Sequence, residues 1–187
     1  MSYAIKMIKV ECDGAVHEFP TEISAGKVIK ELYGKKSGAI AALVNEEEKD
    51  LSYLLSQNCK IDIITDDSKE GLYIMRHSCA HLLAQAVTEL FPDAKPTIGP
   101  PIDDGFYYDF YMDPINEEDL RKIEKLMKKI VKQNIPVQRE EHNNETLRKM
   151  FSNNKFKLEI IDANASHCLF FRISLYLHKS CSQLNTH

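Results

Sequence analysis

Residues 3–19, YAIKMIKVECDGAVHEF, decide the fold of the first part of the chain. Over residues 3–12 apolar and polar side chains alternate and the apolar positions are rich in Ile, Met and Val, a pattern typical of a half-buried strand. The pair Asp13-Gly14 that follows is a strong hairpin turn, because both residues tolerate the left-handed backbone of such a turn. Residues 15–19 are therefore predicted to return as a second strand.

The next part of the chain adds a short helix and further strands. Ser24 is placed to cap a helix that ends at Gly34. Residues 39–44 and 60–65 have strand composition, and residues 45–50 form a charged turn between them. A hairpin, a helix and further strands in so short a stretch predict an α+β domain of the ubiquitin-like β-grasp type.

A long helix is predicted from Asp67 to Phe91, because its apolar residues recur at three- and four-residue spacing and Asp67 with Glu70 resembles a capping box. This helix places His77 and His81 four residues apart, on one face. Two imidazoles so placed can hold a metal, a water or a polar substrate. The alternative is two histidines at the edge of a core. Ser-Cys-Ala separates them, without the glutamate of a zinc protease, so a metalloprotease is not expected.

A segment rich in Gly, Pro, Asp and Tyr follows the long helix and ends in a predicted aromatic strand over residues 106–111. Such a composition is typical of a loop that lines a polar pocket. Its aspartates could orient a histidine or receive an amine, and the alternative is a plain Asp-Asp-Gly turn with tyrosines packed on a sheet. The candidate pocket residues are Gly99, Asp103, Asp104, Tyr107 and Tyr108.

A second helix is predicted from Asn116, which caps it, to Pro136, which stops it. Acidic residues occupy its first turn, where the helix dipole favours anions, and a basic stripe follows. The stripe is consistent with contact to an RNA backbone or with a solvated face held by i,i+4 ion pairs. The candidate RNA-binding residues are Arg121, Lys125, Lys128, Lys129 and Lys132.

A short third helix from Asn144 and a strand over residues 156–161 are predicted next. On that strand Lys157 alternates with apolar neighbours, so it would face away from the core. It is then a solvated lysine or a pocket residue.

Composition narrows the class of protein. The net charge is −4 at pH 7, so the overall charge does not indicate binding to nucleic acid. Any contact with RNA must come from a local basic patch. Five cysteines at irregular spacing do not form a disulfide framework. No apolar run approaches the ~20 residues of a membrane span, and the first residues lack the pattern of a signal peptide. We therefore expect a cytoplasmic protein without a membrane partner.

Two long motifs, EGLYIMRHSCAHLLAQAV at 70–87 and IGPPIDDGFYYDF at 98–110, resemble the N-terminal part of threonyl-tRNA synthetases. By this resemblance residues 1–66 correspond to the TGS domain, a β-grasp module, and residues 67–165 to the first part of the α+β editing domain. The resemblance implies binding of tRNA(Thr) and hydrolysis of seryl-tRNA(Thr), the mischarged product. It also implies a catalytic role for four residues: His77, His81, Lys157 and Tyr108.

In the resembled family, the histidines would bind the terminal adenosine region or position the attacking water. Lys157 and Tyr108 would hold the seryl group and the water. The full family enzymes are homodimers that use ATP and zinc, and residues of the synthetic core are not found in this chain. No cofactor is expected in this part of the chain, except that a metal at His77 and His81 is one alternative.

The family completes the pocket with a later C-x-x-x-H motif followed by Gly-Pro. Here Cys181 has Asn185 at the fourth position after it. We therefore expect an incomplete editing domain and an atypical tail over residues 166–187, produced by a frame change or read-through. Two other interpretations stay open: a non-catalytic RNA- or protein-binding module with vestigial histidines, and an unstable truncation product.

Overall fold

A computed structural model describes residues 6–133, 135 and 142–163 of the chain. These residues form two compact units, and the boundary between the units lies between Leu72 and Tyr73. The architecture is mixed α and β, which confirms the predicted α+β class. The assignment of residues 1–66 and 67–165 to a TGS and an editing domain stays a prediction, and the tail from residue 166 lies outside the described residues.

The first unit contains most of the strands. Its elements are β1 (Met7–Cys12), β2 (Ala15–Pro20), β3 (Ile23–Ser24), α1 (Ala25–Tyr33), β4 (Ala39–Val44), β5 (Glu47–Lys49), β6 (Leu54–Leu55) and β7 (Cys59–Thr65). Five strands form one sheet in the order β2-β1-β7-β4-β5. The central pair β1–β7 is parallel and the other pairs are antiparallel. This hairpin, helix and mixed sheet are the arrangement expected of a β-grasp domain.

Strand periodicity explains the core of the first unit. Along β1 every second residue is buried, so one face of the strand points inward. The helix α1 covers that face with Val28 and Ile29. The buried cluster consists of Ile8, Val10, Cys12, Phe19, Ile23, Ala25, Val28, Ile29, Ala42, Val44, Leu55 and Ile61.

The predicted turn and cap signals of this unit are confirmed. Asp13 and Gly14 both have positive φ, 50° and 77°, as a two-residue hairpin turn requires. The Ser24 hydroxyl accepts a hydrogen bond from the Lys27 N–H at 3.3 Å. Gly34 ends α1 with a φ of 76°. These local signals are reliable because each follows from the conformational range of one or two residues.

Two details of the prediction were wrong. The charged turn is confined to Asn45 and Glu46, both with positive φ, and residues 47–49 form β5 on the edge of the sheet. Those residues are mostly exposed and charged, so they carry no strand periodicity. The cap of the long helix is Ser68, whose hydroxyl accepts from the Gly71 N–H at 3.0 Å. Asp67 instead accepts a hydrogen bond from Thr65.

The long helix and the second unit supply the remaining elements. They are α2 (Lys69–Leu90), β8 (Lys95–Pro96), β9 (Pro101–Ile102), β10 (Gly105–Phe106), β11 (Phe110–Tyr111), α3 (Glu117–Gln133), α4 (Asn144–Met150) and α5 (Lys155–Ala163). The short strands pair as two antiparallel ribbons, β9 with β10 and β8 with β11. The buried cluster joins α2 to α3 through Cys79, Leu82, Ala86, Val87, Ala94, Ile123 and Ile130.

Two of the strands predicted for the second unit were wrong. Residues 106–111 do not form one strand, because β10 and β11 pair with different partners. Residues 156–161 lie in α5 and are helical. A short apolar run is compatible with the two-residue period of a strand and with the 3.6-residue period of a helix. Here the Asn154 side chain favours the helix, because it accepts hydrogen bonds from the N–H groups of Phe156 and Lys157.

Asn116 caps α3 as predicted. Its side-chain oxygen accepts from the N–H groups of Glu118 and Asp119, at 2.8 and 3.0 Å. The predicted stop at Pro136 lies outside the described residues. None of the helices in the described part of the chain combines the length and apolar character that crossing a bilayer requires.

Replacing Gly71 by alanine should destabilise the first unit. A Cβ at Gly71 would lie 1.9 Å from the carbonyl oxygen of Thr65, and backbone cannot move aside cheaply. Alanine has a higher helix propensity than glycine, by about 1 kcal/mol, and the cost of the clash should exceed this gain. We expect a net loss of about 1–3 kcal/mol in the free energy of unfolding, measured by urea denaturation.

Gly105→Ala is the matched control, because a Cβ at Gly105 would meet no atom within 4 Å. It should change stability by less than about 0.5 kcal/mol. Equal stabilities of the two variants would show that the start of α2 does not pack against the end of β7 as described.

Candidate functional site

The two histidines of α2 contact each other directly. His77 and His81 are half-buried on one face of the helix, with 2.9 Å between their Nε2 atoms. Their ring centroids are 4.6 Å apart and the rings meet edge to face at 78°. An N–H···N hydrogen bond of this kind requires one ring to donate and the other to accept, so at least one imidazole must be neutral.

The surroundings of His81 keep that ring neutral. Burial, the neighbouring His77 and the charge of Lys157 together lower the pKa of His81 from 6.5 to about 4. All three causes disfavour the charged form. At neutral pH His81 is therefore an uncharged imidazole with one donor and one acceptor nitrogen.

Lys157 packs within the second unit, and it lies on a helix instead of the predicted strand. It lies in the first turn of α5 and is half-buried. Its Nζ donates to the carbonyl oxygen of Thr97 at 3.0 Å and lies 3.5 Å from the Tyr108 hydroxyl. Burial lowers the pKa of the Lys157 ammonium and raises the pKa of the Tyr108 phenol, so Tyr108 keeps its proton at neutral pH and can donate.

A buried asparagine holds Lys157 in place. Asn154 is only 5% exposed, and its Nδ2 donates to the carbonyl oxygen of Pro96 at 3.0 Å. Its Oδ1 accepts from the N–H groups of Phe156 and Lys157, at 3.1 and 3.3 Å. One side chain thus fixes the start of α5 against β8, next to the carbonyl that receives the Lys157 ammonium.

Gly99 makes room for Tyr108. A Cβ at Gly99 would lie 2.1 Å from the edge of the Tyr108 ring, so no larger residue fits without moving that ring. The two segments are also tied by backbone: Thr97 N–H donates to the Asp109 carbonyl at 3.0 Å, and Asp109 N–H donates to the Ile98 carbonyl at 2.9 Å. Gly99 is therefore a packing residue of the site.

The remaining predicted pocket residues lie on the surface of the loop. The side chains of Asp103, Asp104 and Tyr107 are exposed. The loop is nevertheless attached to α2, because the Arg76 guanidinium donates to the carbonyl oxygens of Ile102 and Asp103. A pocket role for the three exposed side chains stays a prediction.

Sequence reasoning missed three positions that build this site. Arg76 lies beside the first histidine but carried no signal of its own. Thr97 acts through a backbone carbonyl, which no residue pattern reveals. Asn154 was hidden by the wrong strand assignment of the segment that follows it, although an asparagine just before a helix is a recognisable cap signal.

The basic stripe of α3 is exposed along its length. Arg121 pairs with Glu117 and Lys128 with Glu124, each at i,i+4 spacing. For the other predicted positions the described residues provide no carboxylate partner: these are Lys125, Lys129 and Lys132. Together with Leu90 and Leu126 the stripe lines an open groove of about 720 Å³.

No metal site is evident in the part of the chain that the structure describes. Within residues 6–133, 135 and 142–163, no three His, Cys, Asp or Glu side chains are grouped so as to hold a metal. The described geometry of His77 and His81 is that of a hydrogen-bonded pair.

Comparison with known proteins identifies relatives over most of the chain. A threonine–tRNA ligase of Thermoplasma volcanium is 49% identical over 125 residues, which is 67% of this chain. The chain is related to the threonine–tRNA ligases. Threonine–tRNA ligase 1 of Bacillus subtilis is 43% identical over 162 residues, 84% of this chain. The ligase of Rubrobacter xylanophilus is 44% identical over 139 residues, 74% of this chain.

The match covers only a part of these ligases. The chain spans 19% of the Thermoplasma volcanium ligase, 21% of the Rubrobacter xylanophilus ligase and 25% of the Bacillus subtilis ligase. No protein-family model matches the chain. A solved structure of ATBAG1 in complex with HSP70 covers 86% of this chain at 18% identity, with a TM-score of 0.29 that is too low to indicate a shared fold.

The lowered pKa of His81 predicts a pH-dependent stability. The folded pKa, about 4, lies below the ordinary value of 6.5, so the unfolded chain takes up this proton first as the pH falls. The contribution is fully present above pH 6.5 and is lost as the pH falls towards 4. We expect a slope of at most about 1.4 kcal/mol per pH unit in that window, measured by urea unfolding.

His81→Gln should remove this part of the slope because glutamine does not titrate. His17→Gln, in β2 of the first unit, serves as the control and should keep the wild-type slope. A wild-type slope in the His81 variant would contradict the burial of a neutral ring at this position.

Proposed function

We propose that this chain is the part of a threonine–tRNA ligase that hydrolyses seryl-tRNA(Thr). In this proposal the first unit is the TGS domain, the second is the editing domain, and both act in the cytoplasm on tRNA. The observation that carries the proposal is that the Lys157 Nζ lies 3.5 Å from the Tyr108 hydroxyl, and that the charge of the same lysine acts on the half-buried His81. The relatives support it because they are named threonine–tRNA ligases.

The reaction fits what the cluster can do. A threonine pocket can bind serine, since one missing methyl changes the binding free energy by only ~1–3 kcal/mol, so a second site that removes serine is required. An aminoacyl ester is reactive, and a positioned water with a few hydrogen-bond donors suffices to cleave it. No nucleophilic side chain is needed.

The roles follow from charge and geometry. With a pKa of about 4, His81 is a weak base, so we assign it to orienting the attacking water as a neutral hydrogen-bond acceptor. His77 fixes the ring of His81 through their shared hydrogen bond. The Lys157 ammonium and the Tyr108 hydroxyl are adjacent donors, which suits them to the seryl hydroxyl and to the carbonyl oxygen that gains negative charge.

Lys157→Ala should lower the rate of seryl-tRNA(Thr) deacylation by about 100-fold or more, because a donor aimed at developing negative charge is worth that much. The assay follows release of labelled serine from tRNA(Thr) under single-turnover conditions. We expect the loss in the rate constant for hydrolysis, with little change in the affinity for the whole tRNA, since Lys157 is one contact among many.

The matched control is Lys149→Ala, which removes an exposed lysine whose ion-pair partner, among the residues that the structure describes, is Glu145 on the same helix, α4. This variant should deacylate at the wild-type rate. If the wild-type chain releases serine no faster than buffer does, or if the two lysine variants hydrolyse equally fast, the editing proposal is wrong.

A second candidate function is a non-catalytic RNA-binding module that uses α3. The observation in its favour is the groove of α3, in which Lys125, Lys129 and Lys132 have no carboxylate partner among the described residues. Cations that are not already paired are available to phosphates and release counterions when they bind. Under this alternative the histidines are vestigial, and RNA binding persists without hydrolysis.

Lys125→Glu combined with Lys129→Glu should weaken tRNA binding and flatten its salt dependence. Loss of two phosphate contacts reduces the slope of log K against log salt by about 2, measurable by filter binding at several salt concentrations. Lys35→Glu with Lys36→Glu changes the net charge equally on the first unit and should keep the wild-type slope. The same slope in both double variants would exclude α3 as the RNA-binding face.

A further inference from the structure

A second group of aromatic and basic residues lies next to the cluster and has no role in it. Tyr111 of β11 is 66% exposed, which leaves most of its ring open to solvent. The ring of Phe156 lies 5.7 Å from it, tilted by 48°. Lys155 places its ammonium 5.7 Å from the Tyr111 centroid and 5.0 Å from the Phe156 centroid.

The paired strands add another lysine. In the β8–β11 ribbon Tyr111 is opposite Lys95, so these two side chains are cross-strand neighbours on one face. The Tyr111 ring is largely exposed, with the Lys155 ammonium over it and Lys95 opposite it in the ribbon, so the group offers two kinds of contact at once. The ring presents a surface on which a base can stack, and the ammonium groups can neutralise the phosphates on either side of that base.

The same elements connect this group to the cluster. Lys155 and Lys157 both lie in the first turn of α5, which contacts Tyr111 through one lysine and Tyr108 through the other. Tyr108 and Tyr111 are three residues apart, so their Cα atoms are separated by at most about 11 Å. The two tyrosines are thus attached to neighbouring positions of one short segment, which links the two groups along the chain.

We propose that Tyr111, Phe156 and Lys155 form a stacking platform for the unpaired nucleotides at the 3′ end of an RNA whose terminal ester enters the cluster. This inference rests on the proposed function, and it adds how the single-stranded end is held. The platform selects unpaired RNA because bases inside a duplex are stacked on one another and present no open face to a side chain. An acidic peptide would use the lysines but would leave the Tyr111 ring without a partner.

The chain contains no tryptophan, which permits a direct test. Tyr111→Trp introduces a single indole at the platform, and stacking of a base on it should quench its fluorescence as a short unacylated single-stranded RNA is added. Tyr73→Trp is the matched control, because Tyr73 is similarly exposed at 57% but lies on α2. Its fluorescence should not change.

A second measurement covers the case in which the indole disturbs the site. Tyr111→Ala should weaken binding of the same RNA by about 5- to 150-fold, the range expected for one stacked base, whereas Tyr111→Phe should keep the wild-type affinity. Equal affinity of the alanine variant and the wild type would overturn the proposal. Equal quenching by duplex RNA or by an acidic peptide would overturn it as well.

Failure of the platform and failure of the proposed function give different results. The fluorescence and affinity measurements use unacylated RNA, so they do not depend on hydrolysis. Quenching without serine release would support the platform and refute the editing reaction. Serine release at an unchanged rate in Tyr111→Ala, with no quenching in Tyr111→Trp, would refute the platform alone.

Discussion

The candidate site depends on the hydrogen bonds of one buried side chain, Asn154. Its amide nitrogen is bonded to the carbonyl of Pro96 and its oxygen to the first N–H groups of α5. If Asn154 were replaced by an apolar residue, each of these groups would lose its hydrogen-bond partner, and water could not readily replace it because the side chain is buried. The bonds start α5 beside β8, and that placement brings Lys157 to the Thr97 carbonyl and to Tyr108.

Burial at this point also sets the charge states. The same partial exclusion of water lowers the pKa of Lys157, raises that of Tyr108 and lowers that of His81 to about 4. Lys157, the neutral His81 and the protonated Tyr108 together supply hydrogen-bonding groups that carry one positive charge. Such a set suits a neutral ester whose carbonyl oxygen becomes negative during hydrolysis. It would serve poorly as a site that needs a strong base.

Local signals predicted much of the fold. The Asp13-Gly14 turn, the caps at Ser24 and Asn116 and the long helix with its two histidines are all present, because each depends on residues close together in the chain. Two of the errors share one cause. Residues 47–49 pair with β4 although their own composition indicates a turn, and residues 156–161 are helical although they alternate like a strand. In both cases a partner outside the segment decided the outcome.

The sequence by itself determined the α+β class, the hairpin of the first unit and the four-residue spacing that aligns His77 with His81, since these follow from backbone preference and helical period. Only the tertiary structure decided that Lys157 turns inward to Tyr108 and that Gly99 must lack a side chain. The contact of Lys157 with Tyr108 joins residues far apart in the chain, and its geometry depends on how α5 packs against the β8–β11 ribbon. The contact of Gly99 with Tyr108 depends on how the two segments of the ribbon pair. Packing of this kind is set by shape and burial, which a residue pattern does not contain.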